Sequence, residues 1–400
     1  MSKPLLLLAA PSRESQDKAA HFAAAAKSLG LPVHTIIADR AEIVESRVGA
    51  DGFRFTIACT DALALCAARL NERQGSDALS TALIEQLSDK ATGIPMLSRM
   101  LDLPLLPQCL PQAPKDILEW PWSGPIFVKP TRSAGGWSPR PWGYKHFSDK
   151  KNFLDWLYRE NYVACFFDEQ MKPSSLGPAI LQAAVLGGRS EAAMFLLTPS
   201  RLQVIYSGFG EFEPNYGGEG GPRWRRAIYC NGAAPELFER LPYLHKQRDQ
   251  DPKSWGIGIL HTQGIRSAHG FHLTDINLRL STSWDWLVGA TDCTVHRCIL
   301  SALLFDDICD YTPRAPVMMV DLINGNPFRN VVGIQHPPLP PEILPVRLTP
   351  QDCRPPLGGF DKAGSSPCFV TLGDDVESCI ARAEAFRAGI RIEYAPEAAQ

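Results

Sequence analysis

The sequence predicts an α/β chain of two or three packed domains. Three observations carry this: a strand–helix–strand opening, a middle segment of buried strands that ends in a hairpin, and a strand–helix–strand close. Its 400 residues, 45% of them hydrophobic, exceed what one core ordinarily organises.

Residues 4–9 form an apolar run that fits a buried strand. Residues 13–29 fit a helix closed by Gly30, and 31–37 fit a second strand, which makes a βαβ unit. Residues 57–73 read as a strand passing into a helix, with Thr60 or Asp61 placed to cap it. No Gly-x-Gly-x-x-Gly follows the first strand, which argues against a dinucleotide site there. This open domain is expected to end near Pro114, giving a first domain at 1–117.

A second body is expected at 118–310, with strands at 126–129, 179–184, 192–197 and 202–207 and a helix at 235–244. A hairpin at 258–276 turns at 267–270, and 284–306 reads as a helical stretch carrying His296. That histidine is weighed as structural against catalytic and favours structure. The third part, 311–400, begins with a Pro-rich passage at 337–356 that reads as a linker or extended crossing. Its last helix is capped by Asp374 or Asp375, carries an apolar stripe through Cys379, Ala383 and Phe386, and stops at Gly389.

Composition excludes several classes. A net charge of −3 and a pI near 6.3 give no reason to expect nucleic acid as partner. Eleven cysteines without a Cys-x-x-Cys pair, and without histidines at zinc-finger spacing, suit buried thiols in a reducing cytoplasm. The apolar start is too short for a leader and reads as the first strand, and no stretch approaches the ~20 residues that span a bilayer.

Two segments carry chemistry. In Phe271-His-Leu-Thr-Asp275-Ile-Asn277-Leu-Arg279, a period of two places Asp275, Asn277 and Arg279 on one face, with Thr274, Ile276 and Leu278 on the other. Hard oxygens suit Mg²⁺, and a planar guanidinium suits phosphate or carboxylate. Upstream, a short strand delivers Lys129 into the loop Pro130-Thr-Arg132-Ser133-Ala-Gly135-Gly136. Glycines there admit close approach of backbone N–H groups to phosphate, but the order is not that of a P-loop.

In joint order these pieces resemble the ATP-grasp superfamily, nearest to its carboxylate–amine ligases and biotin-carboxylase relatives. The match includes Asp89-Lys90 before a helix, Phe127-Val-Lys129-Pro with Ser-Ala-Gly-Gly, Ile180-Leu-Gln182 before Gly187-Gly188, and Asp275-Ile-Asn277-Leu-Arg279. Within the superfamily the chain is most similar to predicted ATP-dependent carboligases, through the Pro-Trp ending at Trp142, Tyr216-Gly-Gly with Pro222, and Ser-Pro367-Cys368-Phe-Val. The likeness covers most of residues 80–390.

The resemblance implies an α+β ATP-grasp fold with an N-terminal open α/β domain, a two-lobed body and a small α/β tail. It implies ATP and Mg²⁺, with small-molecule carboxylate and amine or thiol substrates joined through an acyl phosphate and ADP released. Lys129 would contact the phosphates, Lys90 the nucleotide from the other side, and Ser133, Gly135 and Gly136 would close over it. Gln182 would lie at or beside adenine, Asp275 and Asn277 would hold Mg²⁺, and Arg279 would orient the reacting phosphate or carboxylate. The segment 216–222 is placed as a lid or as a plain hairpin loop. The group's setting, one-carbon cofactors of the tetrahydromethanopterin or methanofuran type, suggests amino acid, pterin or furan precursors. Without an Ala-Met-Lys-Met-like segment, biotin carboxylation is disfavoured.

One departure stands out. Twelve positions before Asp275, where relatives carry an acidic metal ligand, this chain has Gln263. Either ATP supplies most of the metal's ligands, or a nearby acid such as Glu191 compensates, or the chain is a degraded nucleotide-binding relative. Oligomeric state, homo-oligomer included, is left open.

Overall fold

The computed structural model describes residues 3–11, 13–48, 52–132, 142, 145–172, 177–186, 188–212, 224–229, 235–280, 295–307, 317–321, 331–352 and 367–395. It opens as expected with β1 (Leu5–Ala9), α1 (Arg13–Ser28) and β2 (Val33–Ile37), followed by α2 (Ala41–Arg47), β3 (Phe55–Ala58) and α3 (Ala64–Arg73). The three strands form a parallel sheet in the order β2-β1-β3. β1 is buried along its whole length, which explains why it reads as an unbroken apolar run.

Helices α4 (Thr81–Ser88) and α5 (Lys90–Met100) lead to a small four-stranded antiparallel sheet. Its strands are β4 (Gln108–Cys109), β5 (Ile126–Pro130), β6 (Lys145–Phe147) and β7 (Ala179–Ala183), in the order β4-β7-β5-β6. Helices α6 (Pro114–Glu119), α7 (Lys150–Arg159) and α8 (Val163–Met171) accompany it. This lobe has its own core, built on Ile126, Val128, Phe153, Leu157, Phe166 and Leu181. Alternation along β5 sends Ile126 and Val128 inward and so leaves Phe127 and Lys129 on the other face.

A large sheet of eight strands forms the floor, in the order β12-β11-β8-β9-β10-β13-β16-β15. Its members are β8 (Arg189–Leu197), β9 (Leu202–Phe212), β10 (Trp224–Tyr229), β11 (Gly258–Ser267), β12 (Gly270–Asn277), β13 (Val317–Asp321), β15 (Ile343–Arg347) and β16 (Cys368–Leu372). Helix α9 (Pro235–Gln250) extends past the expected 244. β14 (Val331–Gln335) and β17 (Arg391–Tyr394) pair separately. The N-terminal sheet packs onto this floor: Leu6 and Leu8 share a core with Phe195, Phe271 and Ile276, and Leu5 and Leu7 share one with Met194 and Leu196.

Two details differ from expectation. The Pro-rich passage is no plain linker, because β15 lies within it and pairs with β16. As the outermost strand, β15 offers hydrogen bonds on one side only and so tolerates Pro345. A boundary at 310 also cuts through the large sheet, since β13, β15 and β16 are hydrogen-bonded members of it. At the close, Asp375 caps the Val376–Ala388 helix in a reciprocal box with Ser378. Gly389 ends that helix at φ −90°, where a side chain would collide with Pro337, so close approach rather than left-handed backbone demands glycine.

Candidate active site

The hairpin β11–β12 sets the site. Its register places Gln263 directly opposite Asp275 and His261 opposite Asn277, as the count of twelve positions anticipates. Simple alternation fails at one point. Gln263 pairs with Asp275 but Gly264 pairs with Leu273, so Thr274 is an extra residue, a bulge. Phe271 and Leu273 before it, and Ile276 and Leu278 after it, all enter the same core. The bulge therefore inverts the phase, and without it Asp275 would join Leu273 in that core.

β12 is also an edge strand, and the bulge turns the Thr274 carbonyl to the small lobe. Lys129 Nζ donates to that carbonyl at 2.6 Å and to Gln182 Oε1 at 2.9 Å. Lys129 and Gln182 lie on adjacent strands of the small sheet, so one lobe presents both groups to the other. Burial pushes the Lys129 ammonium down to about 7; the nearby Asp275 carboxylate opposes the shift and Lys90 adds to it.

Lys90 comes from a third direction. Asp89 caps α5 through the Ala91 N–H, and the Lys90 N–H donates to the Thr131 carbonyl at 2.8 Å. Lys90 Nζ then reaches Asp275 Oδ1 at 3.1 Å, with the lysine only 4% exposed and the aspartate 20%. Asn277 Nδ2 stands 3.5 Å from Asp275 Oδ2. Two lysines thus converge on one carboxylate, which leaves the site attractive to an anion. Oxygens available to a cation are the Asp275 carboxylate and the amides of Asn277 and Gln263. Among the described residues, no group of three His, Cys, Asp or Glu can hold a metal ion unaided. Such a donor set fits Mg²⁺ that keeps waters and shares phosphate oxygens, not an ion caged by protein.

Arg279 lies just past β12 and is nearly buried. Its Nε donates to Asp61 Oδ2 at 2.7 Å and Nη1 to the Leu280 carbonyl at 2.8 Å, while the Leu278 N–H donates to Asp61 Oδ1 at 3.3 Å. Asp61 is therefore not the helix cap that its position suggests. Thr60 occupies the cap position of the short turn at Asp61–Leu63 without a side-chain bond. Beside this pair, His261 is held neutral: burial pushes it down to about 3, and Arg279 and Lys18 add to the shift.

The suggestion that Glu191 compensates for Gln263 is overturned. Glu191 stands opposite Gly264 on the strand beside β11, one position out of phase with Gln263. It is fully buried and bound by Arg266 at 2.6 and 2.8 Å and by Arg189 at 2.6 Å. A carboxylate so committed is a structural anchor. His296 is likewise structural, packed edge-on against Phe22 and near His21 of α1. Ser133, Gly135, Gly136 and the segment 216–222 lie outside the described residues. Cys59, Cys66, Cys368 and Cys379 are buried and in no disulfide, Cys109 and Cys298 are half-buried, and Cys165 is exposed. No described helix is long and apolar enough to cross a membrane.

No family model matches the chain, and no curated protein matches it in sequence. Solved structures do match along its whole length. An L-amino acid ligase from Bacillus licheniformis superposes with a TM-score of 0.69 at 13% identity, covering 99% of each chain. Carboxyaminoimidazole ribonucleotide synthase from Aspergillus clavatus, complexed with ATP, gives 0.65 at 12%, covering 96% of this chain and 97% of that one. The biotin carboxylase domain of a 2-oxoglutarate carboxylase from Hydrogenobacter thermophilus, with MgADP, gives 0.64 at 14%, covering 98% and 91%. The chain has the ATP-grasp fold. At these identities the likeness establishes the ATP-grasp architecture alone. The chemistry of this chain rests on its own residues.

Proposed function

We propose that this chain is an ATP-dependent, ADP-forming ligase that joins a carboxylate to an amine or thiol through an acyl phosphate. The observation that carries it is the convergence of Lys90, Lys129, Gln182, Asp275 and Asn277, drawn from distant segments onto one edge of β12. Such a ligase must bring two anions, carboxylate and γ-phosphate, into line, so cations are its main requirement. Lys129 and Lys90 hold the triphosphate between them, and Arg279 orients the incoming carboxylate or the phosphate it attacks. Asp275, with the amide oxygens of Asn277 and Gln263, would hold Mg²⁺, which would supply further charge neutralisation on the phosphates. Ser133, Gly135 and Gly136 would add phosphate contacts, as the resemblance implies.

Amino acids are the first substrates to test, since one neighbour is named an L-amino acid ligase. Pterin or furan precursors of one-carbon cofactors, and a cytoplasmic location, belong to the same proposal. The test is a thermal shift with MgATP beside phosphate release over acid–amine and acid–thiol pairs. Nucleotide at 100 times its dissociation constant should stabilise the fold by ~2.7 kcal/mol.

Gln263 favours a second reading, a nucleotide-binding relative that has lost turnover, for it brings no charge opposite Asp275. Stabilisation by nucleotide without phosphate release across the panel would support it. Changing Gln263→Glu adds the missing carboxylate, and the Mg²⁺ concentration for half-maximal nucleotide response is then expected to fall about tenfold. An unchanged Mg²⁺ requirement places residue 263 outside the metal's shell.

A further inference from the structure

We propose that Asp61 is a positioning residue for the ligase reaction, the N-terminal domain's clamp on the Arg279 guanidinium; this rests on the ligase reading above. Asp61 and Arg279 are 218 positions apart, yet the carboxylate meets both the arginine Nε at 2.7 Å and the preceding backbone N–H of Leu278 at 3.3 Å. One oxygen fixes the side chain and the other fixes the strand end that carries it. The Leu280 carbonyl takes Nη1 at 2.8 Å, so the guanidinium is held along two of its sides and cannot turn about its own plane. Leu280 is itself a core residue at 2% exposure, which makes that second support rigid.

A planar fork recognises a carboxylate or phosphate only when its plane is set, and charge-assisted bonds set it most firmly. Misplacement of such a group by about 1 Å can cost on the order of a hundredfold in rate. The surroundings fit a positioning role better than a plain surface ion pair. The arginine is 9% exposed and the aspartate 23%, at the junction of the N-terminal sheet with the hairpin. Buried His261 feels Arg279, Asp61 and the fully buried Lys18 of α1 together, so the Asp61–Arg279 pair sits among buried charges and not on open surface. Asp61 touches no reacting atom; it acts through Arg279 alone.

The experiment is a double-mutant cycle on the full-length protein, using phosphate release with the acid–amine pair that the panel finds best. Asp61→Asn should lower kcat 10- to 100-fold while KM for ATP and the MgADP thermal shift stay within about twofold. Asp61→Glu should restore part of kcat. In an Arg279→Lys background, Asp61→Asn should add no further loss, because the partner it positions is already altered. Losses that multiply in that background, an unchanged kcat in Asp61→Asn, or a joint fall of Tm and MgADP response would overturn the proposal. Should the parent protein release no phosphate with any pair, the ligase reading fails by itself. The clamp is then decided by exchange of the Arg279 Nε proton in ¹⁵N spectra. Exchange at least tenfold faster in Asp61→Asn supports it, and unchanged exchange overturns it.

Discussion

Replacing Lys129 by methionine is expected to abolish the thermal response to MgADP at concentrations that stabilise the parent protein, and to cut turnover by two to three orders of magnitude. Loss of one such cation typically removes ~3–4 kcal/mol of transition-state stabilisation. The side chain is 3% exposed, so water cannot screen it, and its ammonium sits between the lobes on Gln182 and the Thr274 carbonyl. Methionine fills the same volume but leaves both acceptors without that donor, at a cost of about 1–3 kcal/mol each at most. Removing a desolvated charge offsets part of this, so the variant should fold. An unaltered MgADP response in a folded Lys129→Met protein would remove Lys129 from the phosphate site.

The same lysine sets a pH dependence. Its folded-state pKa of about 7 lies below the ordinary lysine value of 10.5. Between these values the unfolded chain binds more protons than the folded one. This group's contribution to stability therefore rises with pH through that window and is lost as pH falls through about 7. A bound triphosphate favours the ammonium and raises the pKa again. Above pH 7 nucleotide binding should then take up a proton, and affinity should fall by up to about tenfold per pH unit. Calorimetry of MgADP binding in two buffers of different ionisation enthalpy measures that uptake; none at pH 8.5 would mean Lys129 is already charged in the free protein.

Much of this site is legible in the sequence because it rests on local periodicity and fixed spacing. The strand that delivers Lys129 and the hairpin follow from patterns a few residues long, while the pairing of position 263 with 275 comes from the spacing that the resemblance implies. What escapes is non-local. Asp61 follows a strand and precedes a helix, which is where a cap belongs, and nothing nearby reports a partner 218 positions away. The Thr274 bulge escapes for another reason: a strict period of two runs straight through it, and only the shift of apolar positions from Phe271 and Leu273 to Ile276 and Leu278 betrays it. Glu191 misleads through its type. An acid near a metal strand suggests a ligand, yet two arginines on neighbouring positions claim it. At 337–356 proline density leaves a linker and an extended crossing both open, and β15 takes the extended form at the outermost edge of the sheet.

Asp275→Ala is expected to eliminate Mg²⁺-dependent phosphate release, and to do so for a reason separable from folding. In the parent protein this carboxylate is the partner of buried Lys90, and on the proposed reading it is also the metal's charged oxygen ligand. Stripping a fully buried ammonium of its partner costs ~3–5 kcal/mol; with the aspartate side chain a fifth exposed, about 1–3 kcal/mol is the proper scale. Tm should therefore fall, and lost activity alone would prove little. The double variant Lys90→Met with Asp275→Ala removes both charges together. If the stability loss comes from the stranded ammonium, Tm recovers toward the parent while phosphate release stays absent. Recovery of both would mean that Asp275 merely neutralises Lys90 and holds no metal, and that Lys90 is not needed to hold the triphosphate. Recovery of neither would place the damage in the β12 bulge itself, where Asp275 Oδ1 also accepts from the Ile276 N–H at 3.1 Å.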